Sequence, residues 1–102
     1  MKPTSITIHG KRWRYTRPRR IVHKGDECDG LCNFEKRTIS VRSGLEAGVY
    51  EFEVDLHECR HALSDFLDED FVDRDSAQLA EILTKLGYRK LTKYQRDLLG
   101  ID

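Results

Sequence analysis

Apolar runs of membrane-spanning length are missing from this 102-residue chain, and with them any sign of a transmembrane helix. Met1 to Tyr15 also lacks the apolar core of a secretory signal. The expectation is a soluble, cytoplasmic protein with no membrane partner. Cysteine is scarce and odd in number: three thiols cannot all pair within one chain, so reduced side chains are expected. Internal repeats, low-complexity tracts and linkers are absent. So are a glycine-rich phosphate loop and a Ser-His-Asp arrangement, which removes the sequence signals of nucleotide binding and of serine hydrolases. Net charge is zero, with 18 Lys/Arg against 18 Asp/Glu. What remains, at 38% hydrophobic content, suits one small domain over residues 1–102.

The neutral balance conceals a division. Residues 1–42 carry eleven Lys/Arg against four Asp/Glu, and residues 43–102 carry seven against fourteen. A basic half can face nucleic acid, and an acidic half favours a nearby divalent cation. The basic surplus centres on Lys11, Arg12, Arg14, Arg17, Arg19 and Arg20, interleaved with Trp13 and Tyr15. That composition suits phosphate contacts and base stacking. The plainer reading is a solvated strand face whose aromatics are core.

The stretch around which the chain is organised is His57-Glu58-Cys59-Arg60-His61, an H-E-x-x-H pattern. On a helix, four residues advance the direction by about 400°, so the two imidazoles project together and can share one metal ion. Imidazole suits zinc, two protein ligands do not complete a site, and a carboxylate beside them is placed for general-base work. Leu45, Val49, Phe52, Leu56, Cys59, Leu63 and Phe66 step by three and four, predicting an amphipathic helix that buries this stripe and turns the histidines away from the core.

Strands are predicted for Ser5 to His9 and for Lys11 to Arg17, joined as a hairpin around His9-Gly10-Lys11, and for Arg37 to Arg42. His23 to Asn33 reads as a polar loop turning on its two glycines. Cys28 and Cys32 within it are spaced C-x3-C, and with His57 and His61 would make a Cys2His2 structural zinc site, against which stand the long intervening segment and an idle Glu58. A second helix is predicted to open on Asp68-Glu69-Asp70, to bury Val72, Ser76, Leu79, Leu83 and Leu86, and to stop at Gly87. Ala77 and Ala80 would let it approach the first helix closely. Thr92 and Gln95 fit a capping box for a short last helix ending near Gly100.

With these elements in place, residues from about Thr38 to Tyr88 resemble the zincin metallopeptidases of the gluzincin type, and more narrowly the very small single-domain minigluzincins and their phage and bacterial relatives. The resemblance implies an α+β fold: a small antiparallel N-terminal sheet packed on the HExxH helix and a second, acidic helix, with a short C-terminal helix. It implies Zn2+ held by His57 and His61, Glu58 as catalytic base, and a third ligand between Asp68 and Glu81. Asp73 is the first choice, with Asp70 and Glu81 as alternatives; gluzincins use glutamate, so an aspartate departs from their pattern. The implied activity is zinc-dependent hydrolysis of a peptide or protein substrate; the position of the Thr38 to Arg42 strand before the motif helix suits it to align that substrate, and the placement of Tyr88 and Arg89 after the second helix makes either a candidate at the oxyanion. Some small relatives are latent, a role in which Cys28 or Cys32 would occupy the metal. The alternative is a non-catalytic, zinc-containing nucleic-acid-binding or regulatory module that uses the basic hairpin.

Overall fold

The computed structural model describes residues 3–45 and 48–101. Alternation of β-branched and aromatic residues with polar ones produces the first hairpin, in which β1 (Thr4–Ile8) and β2 (Lys11–Thr16) pair antiparallel. The chain reverses at His9 and Gly10, whose φ values of 51° and 78° are the positive pair that a two-residue hairpin turn requires. Ile8 and Trp13 are buried in the main core, and Ile6 and Tyr15 pack against it. The aromatics of the basic stretch are therefore core residues.

The segment expected as a loop is largely strand. β3 (Ile21–His23) and β4 (Asp26–Cys28) form a separate two-stranded sheet around a positive-φ turn at Lys24 and Gly25. β5 (Gly30–Asn33) then pairs antiparallel with β6 (Thr38–Val41), and β6 also pairs with β2, in parallel. The main sheet runs β1-β2-β6-β5, so it is mixed, where an antiparallel sheet was expected. β6 is interior and offers no open edge to a substrate; β5 is the terminal strand on that side.

Three helices follow. α1 (Val49–Leu63) lies on the sheet against β5 and β6, and α2 (Glu69–Lys85) packs on α1. α1 buries Val54, Glu58 and Ala62, a row spaced by four, in place of the predicted stripe. Leu63 and Phe66 are exposed, and Phe66 lies beyond the helix end, 82% accessible. The predicted pattern fails because α1 is packed on two sides, so apolar residues on its surface do not fall into one band. His9 Nε2 lies 2.8 Å from the Leu63 carbonyl and partners one of the acceptors left over at the C-terminus of α1.

Asp68 caps α2, its carboxylate accepting from the Phe71 N–H at 2.8 Å. Val72, Ser76 and Ala80 are fully buried, and the small side chains of the latter two allow close packing on α1, whereas Leu86 is exposed. Gly87 stops the helix with φ 98°. α3 (Lys93–Leu99) has the predicted capping box between Thr92 and Gln95 and ends on a left-handed Gly100. The whole is a small α+β domain. Among the described residues no helix is long and apolar enough to cross a membrane.

Candidate metal centre

α1 and α2 are joined by the short segment 64–68 and run back along one another, so the first turn of α2 lies beside the last turns of α1. The capped start of α2 fixes Glu69 over the two histidines. Its Oε1 is 2.9 Å from His57 Nε2 and its Oε2 is 2.8 Å from His61 Nε2, so one carboxylate lies astride both rings. The ring centroids are 4.9 Å apart. Glu69 Oε2 sits off the direction in which His61 Nε2 could bond, and that buried nitrogen has no hydrogen-bond partner.

Donor atoms of His57, His61 and Glu69 all lie within 4.8 Å of one another, and among the described residues this is the group arranged to take a metal ion. The donor set fits zinc: two imidazoles and one carboxylate leave a position open, as catalytic sites do. The buried Nε2 of His61, within reach of the other two donors and without a hydrogen-bond partner, fits it as well. A tetrahedral ion with bonds of about 2.0–2.1 Å separates its ligand atoms by about 3.4 Å, slightly more than the Glu69 contacts. The Glu69 side chain is 70% exposed and free to draw back.

The third member of the cluster is Glu69, and Asp73 stands outside it. The Asp73 carboxylate lies instead 3.7 Å from Nδ1 of His57, on the far side of the ring. One turn separates the two acids, so α2 presents Glu69 to one nitrogen of His57 and Asp73 to the other. Asp70 is exposed and outside the cluster, and Glu81 pairs with Lys85 at 3.5 Å, three turns further along α2. Arg60 helps hold the helices together, 3.5 Å from Asp75 and over the ring of Phe71.

Glu58 occupies the buried row of α1, facing β5, and is 8% exposed. Burial pushes its carboxyl up to about 7; His57 acts against that shift and Glu69 adds to it. β5 can lie this close because residue 30 is glycine: a Cβ there would fall 2.7 Å from Glu58 Oε2 and 2.8 Å from Val54 Cγ1. Gly30 is thus a close-approach glycine within a strand and not the turn residue expected.

The other predicted residues lie elsewhere. Tyr88 and Arg89 follow the C-terminus of α2, and a 17-residue helix at about 1.5 Å per residue puts them about 25 Å from Glu69, out of reach of an oxyanion there. Their neighbour Lys90 bonds Asp55, towards the middle of α1, at 2.9 Å and the Tyr15 hydroxyl at 2.8 Å. Neither Cys28 nor Cys32 belongs to the metal-competent group, so the Cys2His2 arrangement is not formed and no thiol occupies the site. Cys32 packs against the core, where burial raises its thiol to about 12, the reverse of what a zinc ligand needs. In the basic stretch, Arg17 is bound to Glu51 at 2.8 Å and to the Val41 carbonyl at 2.9 Å, and Arg20 pairs with Glu27 at 2.6 Å. Lys11, Arg12, Arg14 and Arg19 are exposed, with no ion pair among the described residues. Comparison with protein-family models, with curated proteins and with solved structures yields no match.

Proposed function

We propose that the chain is a zinc-dependent peptidase whose metal is held by His57, His61 and Glu69. The observation that carries this reading is the Glu69 carboxylate astride two imidazoles, beside a buried His61 nitrogen with no partner of its own. A zinc ion bound there supplies Lewis acidity, polarising a carbonyl and acidifying a water.

Glu58 is the residue that moves the proton. It neighbours His57 on α1, is not in the ligand group, and has its carboxyl held near neutrality by burial. A carboxylate of that kind accepts a proton from water and returns it to a leaving amine at neutral pH. Asp73 is a positioning residue: its carboxylate lies 3.7 Å from Nδ1 of His57, where its charge favours a proton on that nitrogen and leaves Nε2 as the donor for a metal. β5, the terminal strand over Glu58, takes the substrate-aligning role first expected of β6, because it ends the main sheet and an extended peptide pairs with a terminal strand.

The test is zinc content and hydrolysis of a mixed peptide library by the full chain, beside Glu58→Gln. The reading expects about one zinc per chain in both, and cleavage by the parent that drops by at least about 100-fold in the variant. Cleavage that survives in Glu58→Gln removes the enzyme reading; a parent that binds no zinc removes the site.

A further inference from the structure

The metal centre occupies one side of the molecule and leaves Arg12, Arg14 and Arg37 of the N-terminal half without ion pairs among the described residues. Strand register shows where that charge goes. Ile6, Trp13, Ile39 and Cys32 point to the helices, so their neighbours along each strand point the other way. On that outer face Thr7 lies opposite Arg12, and Ser5, Arg14 and Thr38 form one row across three strands. Ser40 continues it beside Thr16, their hydroxyls 3.0 Å apart. No Asp or Glu is contributed to this face by the four strands. Arg12 and Arg14 are exposed and have no ion pair among the described residues. Arg37, also exposed, borders them, its carbonyl accepting from the Arg14 N–H at 3.0 Å. The acids of α1 and α2 lie behind the sheet, across the core.

A face that carries arginines and hydroxyls on β1, β2 and β6, with Leu31 and Asn33 on β5 and no acid from the four strands, is complementary to phosphate, to which Arg, Ser and Thr side chains bond irrespective of sequence. Trp13 and Tyr15 are turned into the core, so the face has no aromatic on which unpaired bases could stack. We propose that the exposed β1–β2 side of this face, with Arg12, Arg14 and Arg37, binds the backbone of a nucleic-acid duplex, independently of base sequence.

Fluorescence anisotropy of a labelled 20-base-pair DNA duplex with the full chain tests this. With Arg12, Arg14 and Arg37 each on a phosphate, affinity should fall about 40-fold between about 50 and 200 mM salt. Arg12→Glu/Arg14→Glu should weaken binding at least about tenfold and flatten the salt dependence, with circular dichroism and zinc content unchanged. Arg12→Gln/Arg14→Gln, a milder change at the same exposed positions, should act in the same direction should the reversal fail to fold. Arg89→Glu/Arg96→Glu, at the other end of the chain, should leave binding as it was. Absence of binding at 50 mM salt, binding indifferent to the Arg12 and Arg14 changes, tighter binding of a single strand than of the duplex, or equal competition by polyglutamate would each overturn the proposal.

Discussion

Gly30 and Glu58 are in contact across the gap between β5 and α1, and the contact leaves no room for even a methyl group on Gly30. The strand that packs on α1 and the carboxylate that the proposed chemistry would use are therefore set by one another.

Gly30→Ala should force β5 off α1 or drive Glu58 out of its row, because the added carbon would also fall 2.8 Å from Cγ of Glu58 and from Cγ1 of Val54. Overpacking of this kind costs about 1–3 kcal/mol. Urea denaturation should show that loss, and peptidase activity should fall with zinc content unchanged. A variant as stable and active as the parent would mean that the strand does not set Glu58.

Glu69 and Asp73 separate by role. Glu69→Ala removes a ligand and should weaken zinc binding by several orders of magnitude in competition with a chelator. Asp73→Ala removes only the support at Nδ1 and should weaken it about 10–100-fold. The reverse order would restore Asp73 as the ligand and displace Glu69.

Much of this was legible from local patterns. Alternation around His9-Gly10 marked the first hairpin, Thr92 and Gln95 marked the last helix, and the HExxH spacing placed two imidazoles together. What was hidden depends on tertiary contact. Glu69 stands between two aspartates at a helix start, where acids complement the helix dipole wherever they occur, so its sequence position alone does not distinguish it. Its place beside both histidines arises from the short 64–68 connection, which folds α2 back beside His61, and a glutamate one residue past an Asp68 cap was the available signal. The α1 face was misread because its buried row includes Glu58, a charged residue in a position that periodicity assigns to apolar ones. β4 and β5 were missed because Asp, Glu, Cys and Gly are not strand formers, and these strands exist by pairing.

Alkaline pH should destabilise the fold. Burial raises the Cys32 thiol from 9.0 to about 12, and burial with the bond to Asp55 raises the Tyr15 hydroxyl above its ordinary value as well. For groups raised in the folded state, the stability they contribute is complete below the unfolded pKa and is lost as pH rises through the folded one. Thermal unfolding of the metal-free chain should therefore fall progressively above about pH 9. Cys32→Ala should be less stable at pH 7 through lost packing, yet show a shallower alkaline decline. An identical alkaline slope in that variant would mean the thiol is not held protonated by the fold.

Anomalous diffraction at the zinc edge from zinc-loaded crystals of the full chain would locate the ion proposed for His57, His61 and Glu69. One strong peak is expected, bonded to Nε2 of both histidines and to a Glu69 oxygen, with Asp73 at Nδ1 of His57. A peak on Cys28 or Cys32, or no peak between the histidines, would contradict it.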